Sequence, residues 1–83
     1  MYGVISYWVG ECGDSGLWLY ETENEAIAAM SRLWKQSYDL ALEDENFYKD
    51  GSYHEELFAV VAWDDGLYRY FEVVKVSKEE KIY

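Results

Sequence analysis

ELFAVVAWDDGLYRYFEVVKV, residues 56–76, decides the fold. Two runs rich in β-branched and aromatic residues flank Asp65-Gly66, a dipeptide suited to the positive φ of a tight hairpin turn. With Asp65-Gly66 as a two-residue turn, Trp63 opposes Tyr68, Val61 opposes Tyr70 and Ala59 opposes Glu72. Val60 then pairs with Phe71, and Phe58 with Val73, on the other face. That Phe/Val face is the natural one for a helix to cover, whereas the Trp/Tyr face tolerates water because its rings carry polar groups. A three-residue turn starting at Asp64 would shift this pairing, so the assignment of faces hangs on the turn.

Upstream the same signals recur. YGVISYWV (2–9) reads as a strand that is apolar on both faces, Val4 and Trp8 on one, Ile5, Tyr7 and Val9 on the other, which favours a central position. GECGDSG (10–16) reads as a loop, and LWLYE (17–21) as a second strand with Leu17 and Leu19 on one face and Trp18 and Tyr20 on the other. Thr22 opens a helix, since Glu25 lies three residues on and completes a capping box. The run ENEAIAAMSRLWKQSYDLALEDE has no breaker, and Ile27, Met30, Leu33, Trp34, Ser37, Leu40 and Ala41 recur at steps of three and four. They make one buried stripe on a helix of roughly five to six turns. The expected architecture is α+β, in the order ββαββ: a four-stranded antiparallel sheet with one long helix packed on one face. The opposite face would carry Trp18, Tyr20, Trp63, Tyr68 and Tyr70, more aromatic surface than a monomer usually leaves unused. Homodimerisation and capture of a partner protein are both open to such a face, as is coverage by residues 43–56 folded over it as a lid.

Eighty-three residues make a single domain, 1–83, near the lower size at which one core suffices. Hydrophobic residues are 51% of the chain and aromatics 19%, which argues against disorder despite the charge. Seventeen acidic residues against seven basic ones give a net charge of −10. Phosphates would be repelled, which argues against direct binding to nucleic acid or to an anionic membrane and favours a basic partner such as a nucleic-acid-binding protein. The charge also serves solubility, and that use alone would explain it. The lone Cys12 forms no internal disulfide, the N-terminus lacks a basic leader region, and no window approaches a membrane span, so a cytoplasmic protein fits.

The densest charge lies in YDLALEDENFYKDGSYHEE (38–56), where Asp39, Glu43, Asp44, Glu45, Asp50, Glu55 and Glu56 stand against Lys49 and His54. Glu21, Glu23 and Glu25 complement the dipole at the helix N-terminus, but Glu43, Asp44 and Glu45 near its C-terminus oppose it and repel one another. Stability alone would not favour that arrangement. Asp39 and Glu43 have the i,i+4 spacing that puts carboxylates about 6 Å apart, and the others extend the row. Duplex DNA carries one negative charge per about 1.7 Å of axis, so a rigid acidic ridge can occupy a groove built for it. Phe47, Tyr48 and Tyr53 supply anchors beside the charges.

Chemistry of other kinds is poorly served. The glycine-rich loop around Cys12 and Asp14 has no Gly-Lys-Ser/Thr and no helix start directly after it, and nothing in the sequence requires Cys12 to meet His54 as nucleophile and base. Aligned as a calcium loop on Gly51, the chain offers Asn46, Tyr48 and Asp50, with Leu57 where a bidentate glutamate belongs. A zinc site from Cys12, His54 and Glu55 lacks any recognisable spacing. No catalytic residue, metal or cofactor is expected.

In its small size, acidity, cytosolic character and carboxylate-aromatic knuckle LEDENFYKDGSYHEE (42–56), the chain resembles phage and mobile-element inhibitors of host defence. Anti-CRISPR proteins and DNA-mimicking anti-restriction proteins are the examples. The resemblance is one of general character over the whole chain, with no diagnostic motif, so it assigns no residue a role. It implies inhibition of a CRISPR effector by blocking its DNA-binding or PAM-reading surface, without catalysis.

Overall fold

A computed structural model describes residues 1–10, 15–64 and 66–76. The readings that fall on Cys12, on Asp14, on Asp65 and on the tail SKEEKIY (77–83) lie outside the described residues. The β-prone runs form β1 (Tyr2–Val9), β2 (Gly16–Tyr20), β4 (Phe58–Ala62) and β5 (Tyr68–Lys75), and the capped run forms α1 (Glu23–Ala41). A fifth, two-residue strand, β3 (Tyr53–His54), precedes β4. All pairings are antiparallel, in the order β2-β1-β5-β4-β3. The class, the one helix and the antiparallel sheet follow the expectation; the strand number is five rather than four. β1 is central, as its two apolar faces require, and pairs with β5 along its whole length.

The hairpin register corrects the two-residue turn. Val61 opposes Arg69, Val60 opposes Tyr70, Ala59 opposes Phe71 and Phe58 opposes Glu72. The Trp63 amide donates to the Leu67 carbonyl at 2.9 Å, which leaves three residues, 64–66, in the turn. Gly66 closes it at φ +82°, a conformation that costs other residues a Cβ clash. The one-residue shift moves side chains between faces. Ala59, Val61, Trp63, Arg69, Phe71 and Val73 lie on the helix side, and Phe58, Val60, Ala62, Tyr68, Tyr70 and Glu72 on the other. Across β1 and β2, Val4 opposes Trp18 and Tyr2 opposes Tyr20, and Val4, Tyr2 and Tyr20 all pack in the helix-side core. Of the five aromatics expected on the helix-free face, only Tyr68 and Tyr70 are there; Trp18, Tyr20 and Trp63 are not.

Thr22 caps α1 with both bonds of the capping box: its hydroxyl accepts from the Glu25 amide and the Glu25 carboxylate accepts from the Thr22 amide, each at 3.2 Å. The buried stripe is rotated from the expected one. Ala26, Ala29, Met30 and Ala41 are buried, whereas Leu40 is 71% exposed. Small side chains meet Ala59 and let α1 approach the sheet closely around Val4, Met30 and Phe71. Helical geometry ends at Ala41, so Glu43, Asp44 and Glu45 lie in turns beyond it rather than on its last turn.

Residues 47–54 then run along the free edge of β4. Phe47 bridges Trp63, the Tyr48 amide donates to the Ala62 carbonyl, and Tyr53 and His54 pair with Val60 and Ala59. Between them Lys49–Gly51 make one 3-10 turn that sits against the Ala62 methyl group. The supposed loop thus pairs as the sheet's irregular fifth strand, and of the expected lid only the 3-10 turn overlies the helix-free face, at its Ala62 end, where Ala62 is fully buried.

Candidate functional site

Alternation along five strands gives the helix-free face a continuous apolar surface. Leu17 and Leu19 on β2 are 59% and 52% exposed, and Val9 is exposed at the end of β1. A file of rings crosses the remaining strands: Tyr53 to Phe58 at 6.0 Å, Phe58 to Tyr70 at 5.4 Å, and Tyr70 stacked on Tyr7 at 5.3 Å. Tyr68 lies 6.1 Å from Tyr70. Such offset contacts fix the rings relative to one another and make a preorganised surface. Glu72 stands among them, directly opposite Ile5 on one neighbouring strand and Phe58 on the other. The Tyr7 phenol has a pKa raised from its ordinary value, first by burial, then by the negative charge of Glu72 and by Tyr70, and by its hydrogen bond to Glu72. The sequence reading set Glu72 on this face with Tyr68 and Tyr70 but put Phe58 on the helix side and did not connect Tyr7 to the face; the signal for Phe58 was the three-residue turn at Asp64.

The acidic residues do not form one row. Asn46 accepts from the Asp64 amide at 2.7 Å, which places residues 43–46 beside the turn after β4. The Glu55 amide donates to Phe58 and the Leu57 carbonyl accepts from Val73, which places Glu55 and Glu56 at the other end of β4. The six residue steps between Leu57 and Trp63 amount to about 20 Å of strand. Asp50 lies in the 3-10 turn between the two groups. Asp39, on α1, has Lys35 3.5 Å away, both side chains being well exposed, a contact worth little. Among the described residues, Glu43, Asp44, Glu45, Asp50, Glu55 and Glu56 have no lysine or arginine within ion-pair distance, and all are exposed. Asp44 also shapes its own turn, where its Oδ1 accepts from the Asn46 amide at 2.9 Å. Of the aromatic anchors, Tyr48 and Tyr53 are exposed, and Phe47 is half-buried against Tyr38 at 5.2 Å.

His54 Nε2 lies 2.8 Å from Ser31 Oγ, and its ring meets Trp34 at 5.3 Å. Trp34 in turn donates its indole N–H to the Val60 carbonyl at 2.9 Å. This serine–histidine contact ties the edge strand to α1, and among the described residues no carboxylate is hydrogen-bonded to the other ring nitrogen. A pocket of about 190 Å³ opens at the C-terminal end of α1, with Trp8 and Trp63 5.5 Å apart in its wall beside Arg69 and Asp44. Arg69 is engaged there: its Nε donates to the buried Ser6 hydroxyl at 3.1 Å and its guanidinium lies 5.1 Å from the Trp8 ring and 5.2 Å from the Phe71 ring. Among the described residues, no three histidine, cysteine or carboxylate side chains are grouped to hold a metal. No described helix is long and apolar enough to cross a membrane. No protein-family model matches the chain, and neither the curated proteins nor the solved structures include a match to it.

Proposed function

We propose that the chain is a binding module, working without catalysis, whose helix-free sheet face docks on a partner protein of basic character. The observation that carries this reading is the apolar surface running from Leu17 and Leu19 through Tyr7, Tyr70 and Phe58 to Tyr53. Apolar patches of this kind on small domains mark interaction sites. Its periphery is acidic: Glu21 follows β2, Asp64 lies in the β4–β5 turn, and Asp50, Glu55 and Glu56 follow the β3 edge. An apolar centre with a charged rim selects a complementary, basic surface and speeds encounter with it. A second copy of the chain fits less well, because each brings a charge of −10.

A second reading is supported by the exposed carboxylates of residues 43–56, which have no basic partner among the described residues. On that reading the chain inhibits a nucleic-acid-binding protein, a CRISPR effector for example, by presenting its acidic edge to a groove meant for DNA. The two groups about 20 Å apart would then engage separate parts of that groove.

One set of variants separates the readings. The protein and its Leu17→Ser/Leu19→Ser and Glu43→Gln/Glu45→Gln/Glu55→Gln variants are used to capture partners from lysate, with release by salt. Capture lost in the leucine variant and kept in the glutamine variant supports the sheet face. The reverse pattern, with displacement by added DNA, overturns it in favour of the acidic edge. Sedimentation of the purified protein as a dimer that the leucine variant abolishes would make the occupant a second copy.

A further inference from the structure

Glu72 occupies an unusual place. On its own strand its same-face neighbours are Tyr70 and Val74, and directly across it stand Ile5 and Phe58. A carboxylate in such a setting gives up hydration without apolar gain unless something pairs with it. Inside the chain it has the Tyr7 phenol, which uses one of the several acceptor positions a carboxylate offers. By strand alternation the cations of β5, Arg69 and Lys75, point to the helix side with Phe71 and Val73, and Lys49 stands in the 3-10 turn against Ala62, four residues along β4 from Phe58. Around the carboxylate the rings of Tyr7, Tyr70 and Phe58 are half-exposed and mutually packed.

From this geometry we infer that Glu72 with Tyr7, Tyr70 and Phe58 is the receptor for an arginine side chain of the partner. The inference rests on the sheet-face reading and names the group at its centre. A guanidinium is planar and weakly hydrated, stacks on aromatic rings, and meets a carboxylate with two parallel N–H donors. An ammonium does only the last of these, and as a single point. The chain uses the same pairing on the reverse of β5, where the Arg69 guanidinium lies over Trp8 and Phe71. There the cation is the chain's own; on the open side the rings and the carboxylate are present and the partner brings the cation. The acidic rim keeps the approach favourable for a basic surface, and the centre orients it.

The test is a titration of the full chain with Nα-acetyl-arginine amide and, separately, Nα-acetyl-lysine amide, followed by the ring proton resonances of Tyr7, Phe58 and Tyr70. The expected result is saturable shifts at those rings with the arginine probe, several-fold weaker binding of the lysine probe, and about tenfold weaker arginine binding in Glu72→Gln. Tyr70→Leu keeps the apolar volume and is expected to lose the ring-dependent part of the affinity. Shifts that spread instead over residues 43–56, with unchanged affinity in Glu72→Gln, would overturn the site. So would silence at the three rings. If the leucine variant loses partner capture while Glu72→Gln retains it, the arginine receptor fails and the docking face stands. Capture indifferent to both variants removes the face and the receptor together.

Discussion

Burial, the charge of Glu72 and the stacked Tyr70 hold the Tyr7 phenol above its ordinary pKa of 10.0. The folded chain keeps that proton longer than the unfolded one, so the contribution is present below pH 10.0 and is lost as pH climbs toward the higher folded value. Urea midpoints measured from pH 7 to 11 are expected to fall more steeply for the wild type than for Tyr7→Phe; parallel profiles would show that Tyr7 has no such linkage. At Asp44 the side chain supports a turn, whereas Glu43 and Glu45 only add negative charge beside the C-terminal end of the helix. Asp44→Ala should cost about 1 kcal/mol in thermal melts, by analogy with a lost cap, and Asp44→Asn less. Glu43→Gln/Glu45→Gln should melt no lower than wild type. The distinction was available in the sequence, since Asp44 and Asn46 have the spacing at which an aspartate bonds the amide two residues on. Glu72 was not legible in this way. Its importance comes from Ile5 and Phe58, which are distant in the chain and meet it only once β1 and β4 are in register with β5.

Elements with local signals were readable and the relations between them were not. The Thr22 capping box, the central β1 and the hairpin follow from neighbours a few residues apart. The hairpin's faces depended on whether two or three residues form the turn, a choice that Asp64-Asp65-Gly66 admits either way and that the whole sheet decides. The rotation of α1 onto Ala26 and Ala29 reflects how near the helix sits to Ala59, a tertiary fact. β3 has only two ladder residues, and its position is set by long-range contacts: Ser52 Oγ accepts from the Ala62 amide at 2.8 Å, and His54 reaches Ser31. Trp34 joins this edge to the helix through its bond to Val60. Trp34→Phe keeps a ring in place and removes the donor, so it should cost about 1–2 kcal/mol in urea unfolding. Amide exchange at Tyr53 and His54 should quicken more than in β1 or β5. An unchanged midpoint and unchanged exchange would show that the bond is not what holds the edge.

At the scale of the whole molecule, charge outweighs pairing. The net charge is −10, and among the described residues Lys35–Asp39 is the only pair of opposite charges within ion-pair distance. Added monovalent salt therefore screens more repulsion than attraction, and Tm should rise by about 2–5 °C from low to physiological ionic strength. A fall in Tm with salt would mean that attractive pairs dominate. The longest ladder has a different consequence. β1 and β5, the first and last strands of the described chain, meet over eight residue pairs at the middle of the sheet. During synthesis β1 emerges before the other strands of the sheet and waits for β5, the last of the five, with only β2 beside it. Until Tyr68–Lys75 leaves the ribosome, the sheet has no centre, and a chain halted before Tyr68 keeps the β1 edge that β5 would fill open to other chains.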